Sequence, residues 1–401
     1  SVLKGPAATA LYGSRGANGV VLITTKSGKG KKGIGVEINS NVTMEKLNLF
    51  PNYQNQYGSG YDDEGVASFW NEEVDGVLYP FPDNGNLDSW GGPLDGSIKI
   101  IDRFLMPDEE GLPYRTMDYV AQPKNNVRDF FETGITISNT VAVTGSNDAG
   151  SMRISVGNSS TSGIIPNHEI KKKSVSFRGS LKVNKMISVE GKVNYLRTEG
   201  DQRPATGYSQ YNPMWNFAIM SRFTPLDYVK RYYEETKSYN RPPGMNYSPW
   251  YIVNEIKNND VRDRFVGYTS ANVQFTDWLS LNGRIGLDFY ADSRFQSWKK
   301  GARGNDQRNG RMIESMGNHR ELNADLILTA NKDLSSDFNL TASLGTSLWN
   351  RFYESRTWDA REAKIDEVYH ISNYLDIRPS ASQAENEIQS VFLTAQLGYR
   401  N

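Results

Sequence analysis

Cysteine is absent from the 401 residues, so neither a disulfide framework nor a Cys-ligated zinc or iron–sulfur site is available to the chain. Histidine is scarce. His168, His319 and His370 are the only three, and none has a second histidine at helical or hairpin spacing, which argues against a histidine-paired metal site. A dominant charge is lacking as well. With 45 basic against 46 acidic residues the formal net charge is -1, so the broad positive field that a general nucleic-acid binder uses is missing. Long apolar runs are missing too: Val20-Val21-Leu22-Ile23, the longest clean one, falls far short of the roughly 18 residues that a membrane-crossing helix needs. That excludes a helical span only. A transmembrane barrel alternates lipid-facing with lumen-facing residues and keeps its average hydropathy low, so the mean hydropathy of -0.60 fits a soluble or a membrane-embedded β-protein. No charged start, apolar stretch and cleavage site opens the sequence. Ser1-Val2-Leu3-Lys4 reads as the middle of an element and the last residues stop just after a strand-like segment, so the chain reads as a fragment at both ends.

What is present is β-structure with a two-residue rhythm. Residues 5–25 read as a short helix (Pro6, Ala7, Ala8, Ala10, Leu11) stopped by Gly13, then a turn at Asn18-Gly19, then a β-branched strand from Val20. A basic, glycine-rich connector follows at residues 26–33. From there Val36, Ile38, Val42 and Met44 share one face, with Glu37, Asn39, Asn41 and Thr43 on the other. The pattern returns at residues 174–183, 187–195, 279–289 and 338–348, and more weakly around 140–144, 152–156, 265–275, 322–330 and 391–399, which gives about ten strands.

The links between strands carry sharper information. Tight links are expected at 147–149, 184–185, 276–278 and 331–337, and extended ones at 45–134, 161–171, 198–261, 296–311 and 355–390. They alternate without a slip. In an up-and-down barrel every second link lies on the same rim, so all tight turns fall on one side and all extended links on the other. Trp278, Tyr195, Tyr290, Trp349 and Tyr353 sit near strand ends, where interfacial girdles of a barrel would place them and where the general preference of strands for aromatics would equally place any one of them.

Residues 2–26, with Leu3-Lys4-Gly5-Pro6, Leu11-Tyr12-Gly13 and Asn18-Gly19-Val20 at their centre, resemble the end of the plug domain in the SusC/RagA family of TonB-dependent outer-membrane transporters. Phe275-Thr276-Asp277-Trp278-Leu279-Ser280-Leu281 and Gly163-Ile164-Ile165-Pro166 also look like barrel segments of that family. The resemblance implies an all-β fold: a partial transmembrane antiparallel up-and-down β-barrel, about ten strands of a 22-stranded family barrel, preceded by the C-terminal part of a plug domain. Residues 1–32 would be plug and connector, and residues 33–401 the first part of the barrel, with long extracellular loops at about 45–134, 198–261 and 355–390. The family resemblance further implies the outer membrane of a Gram-negative, Bacteroidetes-like bacterium. It implies energy from the TonB–ExbB–ExbD complex acting through a missing N-terminal region, a SusD-like surface lipoprotein as lid, and an oligosaccharide or peptide as cargo.

Gly13-Ser14-Arg15-Gly16-Ala17-Asn18-Gly19 has the glycines of a phosphate cradle but stands in the order helix, loop, strand; a dinucleotide site needs strand, loop, helix. Its glycines therefore read as plug turns. Lys29, Lys31 and Lys32 read as a solvated hinge, or as contacts for anionic lipid headgroups. The acidic runs Asp62-Asp63-Glu64 and Asp108-Glu109-Glu110 offer oxygen ligands to calcium but lack ordered ligand spacing, so no cofactor is expected. No nucleophile, base and orienting group assemble into a catalytic set. The aromatic residues of the long links, among them Tyr61, Trp70, Trp90, Tyr211, Trp215 and Trp250, suit either the C–H faces of sugars or the packing of loops on one another. Import of a glycan-like or peptide nutrient is the leading reading. A non-transporting surface adhesion protein and a secreted carbohydrate-active enzyme are the alternatives.

Overall fold

The computed structural model describes residues 2–3, 18–21, 32–60, 69–74, 76–82, 89–101, 116–123, 126–239, 245–302 and 307–399. Its elements are β1 (Val2–Leu3), β2 (Val20–Val21), β3 (Gly33–Glu45), β4 (Phe69–Val74), β5 (Val77–Pro82), β6 (Asp95–Ile101), β7 (Thr116–Val120), β8 (Gly134–Ser146), β9 (Gly150–Ser162), β10 (Glu169–Lys182) and β11 (Ile187–Asp201). Then come α1 (Pro213–Ile219), α2 (Leu226–Thr236), α3 (Pro249–Glu255), β12 (Lys257–Gln274), β13 (Leu279–Lys300), β14 (Asn309–Asp333), β15 (Phe338–Ala363) and β16 (Tyr374–Tyr399). Ten strands form one antiparallel sheet in the order β3-β8-β9-β10-β11-β12-β13-β14-β15-β16. The remaining strands pair as three separate two-stranded ribbons, β1-β2, β4-β5 and β6-β7. Apart from the two ribbons inserted between β3 and β8, each strand of the large sheet pairs with the next one in sequence. That is the up-and-down order of a barrel wall, and among the described residues the wall is open at β3 and β16.

One chemical device closes all four tight turns: a polar side chain accepts the backbone N–H groups two or three residues ahead. Asn147 Oδ1 accepts from Ala149 and Gly150 at 2.9 Å each. Asn184 Oδ1 accepts from Met186 and Ile187 at 2.8 Å each. Thr276 Oγ1 accepts from Leu279 at 3.1 Å, and Ser335 Oγ from Asp337 and Phe338 at 3.2 and 3.3 Å. These residues set the register at the short-turn rim.

From that rim the register carries one apolar row across the sheet: Val36 opposite Val143, Val143 opposite Ile154, Ile154 opposite Phe177, Phe177 opposite Val193. The row continues through Gly267, Leu287 and Leu322. In the last strands the apolar pairs lie closer to the turns, as Leu344 opposite Leu393, Leu340 opposite Leu397 and Phe338 opposite Tyr399. The apolar band thus runs obliquely to the strands, as it must where strands tilt. Its members are exposed, Val36 by 65%, Val193 by 50% and Leu393 by 74%. An exposed apolar face of that extent marks a surface that meets lipid or another protein.

The wall differs from the sequence expectation in height. Strands lengthen from 13 residues in β3 to 26 in β15 and β16. The link expected at 355–390 shrinks to residues 364–373, that at 296–311 to 301–308, and that at 161–171 to 163–168. The reason lies in β16. Its outward positions read Val391, Leu393, Ala395, Leu397 and Tyr399 near the turn rim, then Gln389, Glu387, Glu385 and Gln383 further up, while the ladder with β15 continues unbroken to Arg378 opposite Asp359. Apolar alternation ends part-way up the strand; backbone pairing does not. The links at 46–133 and 202–256 are long, as expected.

Buried apolar residues gather chiefly in those two links. Val127 and Phe130 from the first pack with Phe217, Met220, Leu226, Val229, Met245 and Val253 from the second. Leu94, Ile100 and Tyr119 surround Phe223 in another cluster. A third joins Tyr233, Tyr247, Tyr251, Ile252 and Ile256 to Trp298 of β13. At roughly 1.5–3 kcal/mol for each fully buried large side chain, these clusters hold the two links as one packed module above the wall.

Candidate functional site

Period-two alternation that sends apolar residues outward sends the intervening residues to the other face, and there the wall is charged. Arg153 pairs with Glu37 at 2.8 Å and Arg178 with Glu190 at 2.8 Å. The Tyr268 hydroxyl donates to the same Glu190, and the Arg284 guanidinium lies 4.2 Å over the Tyr268 ring. Higher up, Arg264 Nε donates to Asp288 at 2.8 Å, while Arg262 and Arg294 share Asp292 at 2.8 and 2.9 Å. Arg262 also lies 4.5 Å over the Tyr290 ring, which stacks on His319 at 4.8 Å. Neighbouring strands supply opposite charges at adjacent positions, so each guanidinium is held by a carboxylate or a ring face and little side-chain freedom remains. The result is a stiff polar surface that can exchange hydrogen bonds with a hydrated solute.

Near the far end of the strands, residues 202–206 fold over this surface. Arg203 Nη2 donates to Asp260 at 3.1 Å and Gln202 accepts Asn258 N–H at 3.3 Å, which ties the overhang to β12. Beneath it lies a hollow of about 720 Å³ lined by Thr198, Thr206, Asn259, Arg262, Asp292 and Arg294, among others. Its size is that of a ligand-binding cleft, and its polar lining suits hydroxyl- or amide-rich solutes.

The loop module that stands beside it is tied together by polar as well as apolar contacts. Asn212 caps α1, accepting Met214 N–H at 3.0 Å. Buried Asn216 is fully used: its carbonyl accepts from Asn246 and Tyr247, and its amide donates to Gln210 and Asn212. Asn126 joins the two links by donating to Thr224 at 2.8 Å and accepting Leu226 N–H at 3.0 Å. Glycine is required where Gly58 meets the Tyr119 ring, because a Cβ there would stand 1.8 Å from the hydroxyl.

The aromatic residues singled out in the sequence are dispersed. Tyr211 lies in the module core, its ring 5.4 Å from both Tyr247 and Trp298. Trp250 packs edge-on against Phe130 at 5.4 Å. Both take the loop-packing role. Trp215 is half-buried with Tyr208 at 4.2 Å, and Tyr208 is 83% exposed. Trp90 is exposed beside Tyr57 at 6.3 Å. Trp70 stands opposite Phe81 in the β4-β5 ladder. Tyr61 falls outside the described residues, as do Lys4, Gly5, Pro6, Leu11, Tyr12 and Gly13 and both acidic runs. Of the plug motif, Leu3 pairs with Val20, and Gly19 precedes that strand at φ 91°, a left-handed conformation that favours glycine. The inner charged residues Arg262, Arg264 and Asp292 were not marked as site candidates in the sequence. The signal was there: Asp260-Val261-Arg262-Asp263-Arg264 alternates charge within a strand, and period two places Arg262 and Arg264 on one face.

Comparison with known proteins follows the same lines. No model of a known protein family matches the chain. Two TonB-dependent receptors of Formosa agariphila are 35% identical over 82 residues and 36% identical over 86 residues, covering 18% and 21% of this chain and 8% of each receptor. The TonB-dependent receptor SusC of Bacteroides thetaiotaomicron is 50% identical over 46 residues, 12% of this chain and 5% of SusC. Among solved structures, a chain of the RagAB peptide importer in its closed-closed state superposes with a TM-score of 0.71 at 16% identity, covering 99% of this chain and 44% of that one. The open-open state gives 0.70 at 17% identity. The fold of nearly the whole chain is thus that of less than half of the solved chain, and the matched segments are a small part of each curated relative.

Proposed function

We propose that the chain belongs with the SusC/RagA-type TonB-dependent receptors it resembles, and that it forms the end of the plug and the first part of the barrel wall of an importer that brings an oligosaccharide or peptide nutrient across the outer membrane. On this reading residues 1–32 are plug and connector and residues 33–401 are barrel, with the tight turns periplasmic and the 46–133 and 202–256 links extracellular. A SusD-like lipoprotein covers the loop module, and TonB with ExbB and ExbD supplies the pull on the plug. The observation that carries the reading is the two-faced wall: an apolar band fit for lipid on one side and an arginine–carboxylate lattice fit for a hydrated solute on the other. Import changes no bond in the solute, so the reading calls for no catalytic set and no cofactor. It requires only a site whose affinity differs between two states of the plug.

The test is solute accumulation by cells that carry the full-length protein, with and without the TonB gene. Uptake abolished by the deletion is the expected result, and uptake indifferent to it would remove the proposal.

A further inference from the structure

Within the loop module, residues 50–53, 55, 122–123, 126–128, 220 and 222 line a second, smaller hollow of about 140 Å³. Its described lining carries two guanidiniums, Arg128 and Arg222, and no carboxylate. Neither arginine has an acidic partner among the described residues. Arg128 donates to the backbone carbonyls of Leu47 and Asn48 at 3.5 and 3.0 Å. Arg222 turns back over the end of α1, donating through Nε to Met220 O at 3.1 Å and through Nη2 to Phe217 O at 3.0 Å and Met220 O at 2.5 Å, and its guanidinium lies 4.6 Å over the Tyr53 ring. Among the described residues Nη1 of Arg222 makes no hydrogen bond.

Carbonyls at a helix end carry partial negative charge, so they satisfy donors without cancelling a full positive charge. Burial lowers the pKa of Arg222, with Tyr53 opposing. Elsewhere in this protein the partly buried arginines Arg153, Arg178, Arg311 and Arg361 each face a carboxylate, so the partly buried Arg222 is an exception, and the exposed Arg128 brings a second cation to the same cavity. The segments that hold them are tied to each other: Gln122 donates to Phe223 O at 3.1 Å, and Asn126 bridges Thr224 and Leu226. Asn52 and Asn55 also line the cavity, and among the described residues their exposed side-chain amides make no hydrogen bond. The cavity therefore offers positive charge, spare donors and an aromatic floor at Phe50 and Tyr53.

We propose that this hollow binds a carboxylate group presented by the imported solute, with Arg128 and Arg222 as its counter-charges and Asn52 and Asn55 as further donors. The planar guanidinium matches a carboxylate in geometry as well as in charge. A site of this volume accommodates one anionic end and not a whole oligomer, which ordinarily occupies about 300 Å³ or more. The inference rests on the import reading for the identity of the ligand's carrier.

The full-length protein in detergent, titrated calorimetrically with succinate and with neutral succinamide, gives the test. Succinate is expected to bind at least about tenfold more tightly, and Arg128→Gln and Arg222→Gln each to remove most of that preference. Arg222→Gln also deletes the cap on α1; if that variant fails to fold, Arg128→Gln alone decides, since its bonds are to residues outside the helix. Equal affinity for the two compounds, or a preference that survives Arg128→Gln, would overturn the site. Peptides with free or amidated C-termini and oligomers of galacturonate or galactose then identify the carrier, and indifference to charge in both series would overturn assignment to the solute. Carboxylate binding without TonB-dependent uptake would overturn the import reading alone, whereas uptake without a carboxylate preference would overturn this inference alone.

Discussion

The wall and the loop module use the same kinds of residue in opposite ways. In the wall, Val36, Val193, Leu287 and Leu393 are exposed and the charged side chains pair on the opposite face; in the module, Phe217, Phe223, Met245 and Tyr247 are wholly buried. Connecting segments usually run over a surface supplied by the regular elements. Here the connections own most of the core, and among the described residues the strands add one small cluster of their own, Met312, Ala360, Ala363 and Tyr374. The difference teaches that burial is measured against the solvent each region meets. A sheet whose outer solvent is lipid needs no second layer, whereas loops standing in water must bury their apolar side chains against one another.

The strongest way to break this comparison is Phe217→Ala. The Phe217 ring touches Phe130 at 5.0 Å and Phe131 at 5.8 Å, so the cavity left behind is expected to cost about 3–5 kcal/mol, confined to the module. Residues 202–256 should become protease-sensitive while the heat-modifiable migration of the folded barrel on a gel is retained. Joint loss of both would show that module and wall are one cooperative unit. A somewhat smaller effect is expected from Leu287→Arg, about 2–4 kcal/mol for a cation facing mid-bilayer, against less than about 0.5 kcal/mol for Asn282→Arg on the inner face of the same strand. Urea titration of the membrane-inserted protein reads both, and equal losses would end the two-faced description of β13.

The smallest expected effect sharpens the boundary between the regions. His168 closes the 163–168 link, its carbonyl accepting Gly163 N–H at 2.8 Å, and burial, aided by the Arg203 charge, lowers its pKa. The native link thus favours the neutral ring, while the unfolded chain takes up a proton below about pH 6.5. This contribution to stability is full above the unfolded value and is lost as pH falls through it. Amide exchange at residues 163–168 should be faster at pH 5.5 than the intrinsic rate change explains, and His168→Gln should abolish the excess. A link indifferent to pH in both proteins would place His168 in water.

Much of the wall was legible because alternation and turn chemistry are local. Val175, Phe177 and Leu181 announce a strand by themselves, and Asn147, Asn184, Thr276 and Ser335 close turns through groups two or three residues away. The upper halves of β14, β15 and β16 were not legible, since polar residues on both faces carry no periodic signal while the backbone ladder persists. Nor were α1 and α3, each seven residues and too short to show a helical stripe. The stripe of α2, Leu226, Val229 and Tyr233, was readable in principle. Tyr211 and Trp250 show the limit at the candidate site. Composition marked them as aromatic and in loops, but whether an aromatic ring meets solute or another ring depends on partners far away in the chain.

The amino-acid sequence by itself determined the period-two rhythm, the tight turns and the alternation of brief with extended links, because each depends on neighbours within a few residues. Tertiary structure alone decided which loop aromatics are core and how far the strands rise past the apolar band. It also left Arg128 and Arg222 beside one cavity without a carboxylate. Those outcomes rest on contacts between segments many tens of residues apart, and no local pattern encodes which distant group will arrive.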